Sequence, residues 1–184
     1  MTPSQRAFFP WFLWLGLFFA AWIGIVVSGS HWAAVRDHWG IALAMALGSY
    51  YGGLAITNAL VGYVHAISHN LGAKYGTPHG LGNAQVLPQV LQLLEADAAP
   101  KLADIAVNCG LGERGEGDAA LARKLIERVQ ALNDAIGIPR KNDSIRAEHI
   151  DDLVEAALNE GGSYPSPRFL SRQECRDVLV AISG

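Results

Sequence analysis

An uncharged apolar run from Phe8 to Ser28 limits the ways in which this chain can fold. At a rise of about 1.5 Å per residue, a helix of this length crosses a hydrocarbon core of roughly 30 Å. Tryptophans lie in the run and just after it, and their rings favour membrane interfaces. The run therefore predicts a transmembrane helix and a single-pass, membrane-associated chain. A cleaved signal peptide is the alternative, since Arg6 precedes the run and small residues follow it.

A second uncharged run, from Gly40 to Val64, has two interpretations. It is either a second span that forms a hairpin with the first, or a buried helix of a soluble core, and its small residues suit both. We place the domain boundary before this run, with a membrane segment and linker over residues 1–39 and a helical domain over residues 40–184. Arg6 and Arg36 flank the first run and fix its orientation poorly, and we expect the helical domain in the cytoplasm.

The composition excludes two classes of protein. The formal net charge is -3, so the chain lacks the basic excess of a nucleic-acid binder. With 51% hydrophobic and 17% charged residues, it carries enough apolar surface to fold. Two cysteines are too few for a disulfide framework or a four-thiolate zinc site, and we expect both to be reduced.

From Ala66 onward the apolar residues repeat with the period of an α-helix. One stripe ends at Gly161 and another at Gly137, and no alternating β pattern competes with them. The stripes comprise Ile150, Leu153, Val154, Ala157 and Leu158, and Leu121, Leu125, Ile126, Val129, Leu132 and Ile136. The sequence therefore predicts an all-α fold, a helical bundle preceded by the candidate transmembrane helix.

Local signals predict two further helix ends. Pro100 suits the first turn of a helix that Gly110 closes. Ser171 and Glu174 have the spacing of a capping box, in which each side chain accepts a hydrogen bond from a backbone N–H of the first turn. We therefore expect the last helix to begin just after Ser171.

Three histidines are candidates for chemistry. His65 and His69 are four residues apart and share a helix face, and His79 follows a turn at Gly76-Thr77-Pro78, so the three imidazoles can converge. Imidazole is a good ligand for divalent iron or zinc. The zinc-peptidase motif is excluded because Ala66 stands where that motif requires glutamate. Spacing alone leaves metal binding and simple hydrogen bonding open.

This block resembles the C-terminal helical domain of the iron-containing, or group III, alcohol dehydrogenases over about residues 51–184. A second matched block looks like the family's Tyr-Pro-Val-Pro-Arg segment. The residues that carry the resemblance are Gly62-Tyr63-Val64-His65-Ala66-Ile67-Ser68-His69, Leu71-Gly72, Pro78-His79-Gly80, Asn83-Ala84, Leu87-Pro88 and Tyr164-Pro165-Ser166-Pro167-Arg168-Phe169.

The resemblance implies a function. His65 and His79 match ligands to Fe²⁺ or Zn²⁺, and His69 matches a catalytic histidine that lines the pocket for substrate and nicotinamide. The implied reaction interconverts small alcohols and aldehydes by hydride exchange with NAD(P). We also expect Gly80 to let a helix start close behind His79, and Tyr63 to be a core aromatic.

The chain departs from the family pattern upstream. The family takes its other two metal ligands from an Asp-x-x-x-His pair that lies far before the position of His65. We expect neither that pair nor the family's nucleotide-binding domain here, because too few residues precede His65. We therefore expect half a metal site, no residues that bind the dinucleotide, and no activity without a complementing chain or homo-oligomer. His31, Asp37 and His38 are not expected to complete the site.

Two other patterns carry less weight. Glycines between Gly110 and Gly117 match the spacing of a dinucleotide fingerprint, but a predicted helix precedes them and Glu113 and Glu116 would repel phosphate, so we expect a flexible connection between helices. Residues 1–50 weakly resemble the start of a sulfite-exporter-type membrane protein. The chain is thus interpreted as a fusion or truncated reading frame with a junction near residues 49–51.

Two rival hypotheses remain at this point. In one, the chain is a small membrane-anchored protein whose helical tail binds metal or a partner without enzyme activity. In the other, it never folds stably, because a helical domain without its usual neighbour exposes a large apolar patch.

Overall fold

The computed structural model describes residues 38–184. The candidate span over residues 8–28, His31 and Asp37 therefore lie outside the described residues. Over residues 38–184 the chain is helical, and the only β pairing there is an isolated bridge between Asn142 and Ser183. The predicted all-α fold is confirmed for this part of the chain.

Seven α-helices occupy this part of the chain. They are α1 (Trp39–Ala59), α2 (Tyr63–Tyr75), α3 (His79–Leu93), α4 (Glu95–Asn108), α5 (Asp118–Ala135), α6 (Ile150–Gly161) and α7 (Arg172–Ile182). Short 3₁₀ turns lie at Arg114–Glu116 and Ala147–His149. The chain divides into two units between Ala55 and Ile56, and α2 to α7 all belong to the second. The predicted boundary before residue 40 stays a prediction.

Helix α1 carries most of the second apolar run. It has 21 residues, no charged side chain and no buried residue, and by length and composition it could cross a membrane. The run is not one helix, because Leu60 adopts a left-handed conformation with φ 59° and Tyr63 begins a new helix. Tyr63 in α2 is 3% exposed, whereas no residue of Trp39–Ala59 is buried, and the choice between a span and a buried helix stays open for α1.

Two hydrophobic clusters hold α2 to α7 together. The larger joins α2, α3, α6 and α7, and the smaller lies between α4 and α5. In α6 the predicted stripe is buried at Ile150, Leu153, Val154 and Ala157. In α5 the buried stripe is narrower than predicted, because Leu132 is 48% exposed and Ile136 is 65% exposed. The larger cluster fixes α2 against α3, and these two helices carry all three candidate histidines.

The predicted helix ends are met at four places, one of them the end of α6 at Gly161, and missed at one. Gly137 and Gly110 adopt left-handed conformations after α5 and α4, and the capping box before α7 forms at Ser171. Pro100 was expected in the first turn of α4, but the helix begins five residues earlier, at Glu95. The apolar face of α4 packs on α5, and this packing outweighs the one intrahelical hydrogen bond that a proline removes.

Pro88 lies inside α3, and its missing N–H leaves the carbonyl of Ala84 without its helical donor. Asn133 of α5 replaces that donor, since its Nδ2 donates to the Ala84 oxygen at 2.7 Å. Asn133 is only 9% exposed, so the bond lies largely out of water. It ties α5 to the helix that carries His79.

Candidate metal centre

The three candidate histidines meet at the crossing of α2 and α3. The ring centroids of His65 and His79 are 5.2 Å apart, those of His69 and His79 are 5.2 Å apart, and those of His65 and His69 are 5.6 Å apart. His65 is half-buried, whereas His69 and His79 are exposed. The structure therefore brings the three imidazoles together at an open edge of the bundle, and their roles stay predictions.

The turn between the two helices sets this geometry. Helix α2 ends at Gly76 with φ 68°, which is the left-handed conformation that glycine adopts without strain. Pro78 follows in an extended conformation and α3 starts directly at His79. This agrees with the turn predicted at residues 76–78.

The close approach of the two helices occurs at Gly82 rather than at Gly80. A Cβ on Gly82 would lie 2.6 Å from Ser68 Oγ, whereas a Cβ on Gly80 would have nothing within 4 Å. Ser68 is buried and its hydroxyl donates to the carbonyl of His79 at 3.3 Å. Helix α3 does start at His79, as expected, but Gly80 has no steric part in this, since a side chain there would meet open space.

Asn83 joins two of the imidazoles. It lies one turn after His79, and its Nδ2 is 3.0 Å from His79 Nε2 and 3.3 Å from His65 Nε2. An amide NH₂ group can only donate, so both Nε2 atoms act as acceptors and present lone pairs to one point. The Oδ1 atom of Asn83 is buried and has no partner. Two imidazoles whose Nε2 atoms converge in this way form the kind of ligand pair that divalent iron or zinc prefers.

The charge state of His65 suits this chemistry. Burial lowers the pKa of His65, and the neighbouring charges of His79 and then His69 lower it further, against an opposing effect of Glu160. The neutral form, which is the form that binds metal, is therefore favoured. Within residues 38–184 no three histidine, cysteine or carboxylate side chains are placed to hold a metal ion. The converging Nε2 atoms of His65 and His79 thus fit part, and not the whole, of a metal-binding set.

Glu160 is a member of the cluster that the sequence analysis missed. Its Oε1 lies 2.6 Å from His69 Nδ1 and accepts a hydrogen bond from the Tyr164 hydroxyl at 3.0 Å. Asn70 Nδ2 donates to its Oε2 at 3.2 Å. Glu160 lies near the end of α6, which packs on α2 although the two helices are distant in the sequence. No local spacing signalled this contact, because Glu160 and His69 lie 91 residues apart in the sequence.

Arg168, in the second matched block, links residues of three helices. Its guanidinium pairs with Glu174 of α7 at 2.7 Å and with Asp97 of α4 at 2.9 Å, and it donates to the carbonyl of Leu93. The hydrogen bond from Arg168, followed by those from Ser171, lowers the pKa of Glu174 to about 2. Arg168 therefore fastens the last helix to the ends of α3 and α4.

Tyr63 is a core aromatic, as expected. It is 3% exposed, and its ring packs so closely on α6 that a Cβ on Gly161 would lie 2.4 Å from Tyr63 Cε1. The glycines between Gly110 and Gly117 connect helices α4 and α5, with a helix rather than a strand before them. Lys124 of α5 pairs with Glu116 of this connection, and Glu113 and Glu116 form a capping box. The connection is therefore held by hydrogen bonds rather than flexible. No dinucleotide fingerprint is formed there.

Comparison with known proteins gives a consistent result. The model of the Fe-containing alcohol dehydrogenase family, C-terminal, matches residues 33–183. The chain is 34% identical over 145 residues to the lactaldehyde reductase of Escherichia coli K12, covering 78% of this chain and 38% of the relative. It is 36% identical over 137 residues to the 1,3-propanediol dehydrogenase of Klebsiella pneumoniae, covering 73% of this chain and 35% of the relative.

A solved structure agrees with these sequence matches. The crystal structure of a 1,3-propanediol oxidoreductase superimposes with a TM-score of 0.65 and 35% identity, over 70% of this chain and 34% of that chain. The chain thus spans little more than a third of the length of the curated relatives it matches.

The family match also corrects the sequence analysis. It begins at residue 33 rather than near residue 51, so residues 33–50 do belong to the family pattern and the junction expected at residues 49–51 is wrong. Hydropathy left residues 40–64 open between a span and a buried helix, because hydropathy alone does not distinguish a membrane span from an apolar family helix. With both matched blocks confirmed, the chain belongs to the iron-containing alcohol dehydrogenase family, whose C-terminal helical domain it carries over residues 33–183.

Proposed function

We propose that this domain is the metal-binding half of an iron-dependent alcohol dehydrogenase that interconverts small alcohols and aldehydes with NAD(P). The observation that carries the proposal is the pair of Nε2 atoms on His65 and His79, which face a single amide from two crossing helices. The names of the relatives support the substrate class, since they act on lactaldehyde and 1,3-propanediol.

Each histidine has a part in this proposal. His65 and His79 would hold Fe²⁺, or Zn²⁺ in its place, through Nε2. When bound, the metal supplies a Lewis acid that polarises the oxygen of an alcohol or aldehyde. His69 would line the substrate pocket as the catalytic histidine, with Nδ1 held by Glu160.

The rest of the centre must come from other groups. Residues 38–184 supply two imidazoles to a metal that usually takes three or four protein ligands. The remaining ligands and the dinucleotide site would therefore belong to a complementing chain, a neighbouring copy or segments beyond the described residues. Activity is expected only when those groups are present.

Metal stoichiometry tests the proposal directly. The full chain is purified anaerobically in detergent, loaded with Fe²⁺ and analysed for bound metal beside His65→Ala, His79→Ala and the control His149→Ala. His149 is a suitable control because it lies outside the cluster and pairs with Tyr75 at 3.0 Å. We expect about one metal per chain, lost in the first two variants and kept in the control. A parent chain that binds no metal, or equal binding in all variants, refutes the proposal.

A membrane-anchored protein without enzyme activity is the second candidate. The exposed, uncharged 21-residue helix α1 favours it, because about 31 Å of helix matches a bilayer core. Against it, the family match covers the whole of α1. Extraction of membranes with alkaline carbonate separates the two. Anchoring keeps the chain in the pellet, and release into the supernatant excludes a membrane span.

A further inference from the structure

We propose that Glu160 is the positioning residue of His69 and fixes the tautomer that His69 presents to the pocket. This inference rests on the proposed function for the role of His69, and on geometry alone for the tautomer. It assigns a task to a carboxylate that lies 91 residues from His69 along the chain.

The hydrogen-bond donors around Glu160 define its state. Tyr164 and Asn70 both donate to it, one to each carboxylate oxygen, and Asn70 is itself held by a bond to the Ala66 carbonyl at 2.7 Å. Donation from Tyr164 raises the pKa of that phenol, which keeps it a donor. A carboxylate that receives hydrogen bonds on both oxygens acts as an acceptor, so the hydrogen of the contact at 2.6 Å belongs to His69 Nδ1.

The consequence for His69 follows from imidazole chemistry. A neutral imidazole that carries its hydrogen on Nδ1 has an unprotonated Nε2, so Nε2 is the nitrogen left to accept a hydrogen bond. The side chain of Glu160 is 28% exposed and that of His69 is 42% exposed. Protein therefore shields the carboxylate more than the imidazole, which stays open to solvent. The ring of His69 stacks on that of His79 with an interplanar angle of 21°, which restricts its rotation further.

Nitrogen NMR of the histidine rings tests this inference without activity. The full chain, labelled with ¹⁵N-histidine and held in detergent near pH 8.5, is recorded without metal. His69 is assigned by the signal lost in His69→Ala. We expect a single Nδ1–H tautomer in the parent chain and a mixture, or the Nε2–H tautomer, in Glu160→Ala.

Three further variants make the result specific. Glu160→Gln keeps an acceptor oxygen and should retain most of the Nδ1–H form. Tyr164→Phe keeps the carboxylate but removes one of its donors and should give a smaller shift. Glu155→Ala is the matched control, because Glu155 lies on the same helix, is exposed and pairs with Arg172 instead. It should leave the spectrum of His69 unchanged.

The outcomes separate this inference from the proposed function. A parent chain with His69 in the Nε2–H form, or a His69 signal that Glu160→Ala does not move, overturns the inference. Metal that is absent from the parent chain refutes the proposed function and leaves the tautomer result intact. Unfolding of Glu160→Ala would appear in every backbone signal, and the Glu160→Gln and Tyr164→Phe spectra then decide.

Discussion

Replacing Gly82 by alanine should loosen the crossing of α2 and α3, on which the histidine cluster depends. The new Cβ would lie 2.6 Å from Ser68 Oγ, a distance at which the hydroxyl must turn away and lose its bond to the His79 carbonyl. Overpacking costs about 1–3 kcal/mol and the lost hydrogen bond about 1 kcal/mol, while the better helix propensity of alanine returns up to about 1 kcal/mol. We expect a net loss of about 1–3 kcal/mol.

The neighbouring glycine provides the control. Gly80→Ala places its Cβ in open space on the same helix, so it should stabilise the fold by about 0.5 kcal/mol. In a Ser68→Ala background the nearest atoms to the Cβ at position 82 are the Cβ of residue 68 at 3.4 Å and Thr77 Cγ2 at 3.6 Å, so the added cost of Gly82→Ala should largely vanish.

Urea unfolding followed by circular dichroism measures these differences on the full chain in detergent. Metal binding by the same variants reports whether the helix crossing also sets the spacing of His65 and His79. A Gly82→Ala variant as stable as Gly80→Ala, or a cost unchanged by Ser68→Ala, would show that the crossing is not limited by this contact.

Three further changes test other parts of the fold. Asn133→Ala should lower the free energy of unfolding by about 1–3 kcal/mol in urea melts, because it leaves the Ala84 carbonyl without a donor; an unchanged midpoint contradicts this. The pKa of Glu174 is lowered from 4.5 to about 2, so its contribution to stability is present above pH 4.5 and lost as the pH falls toward 2. In thermal melts, Arg168→Ala should therefore lose less stability than the parent chain when the pH falls from 5 to 2. The same pH dependence in both proteins refutes the assignment. Burial raises the pKa of Cys175 to about 11, so mass spectrometry should find this thiol modified by a maleimide only in denaturant, and labelling of the native chain contradicts its burial.

The sequence determined the features that depend on neighbouring residues. Apolar residues at helical spacing predicted α5 and α6, and Ser171 and Glu174 predicted the start of α7, because helix period and capping act within a few residues. The spacing of His65, His69 and His79 around a turn likewise predicted that the imidazoles converge. The matched blocks around His65 and Arg168 were sufficient to indicate the family.

Tertiary packing decided the features that join distant parts of the chain. Helix α4 continues through Pro100 because its apolar face packs on α5, which outweighs a local breaking signal. The close approach of α2 and α3 lies at Gly82, because the point where two helices cross depends on how they pack and not on a local sequence signal. Glu160 reaches His69 across 91 residues, and no local pattern encodes such a distance. A contact between distant residues depends on how whole helices pack, so only the folded chain could place this carboxylate beside the histidine.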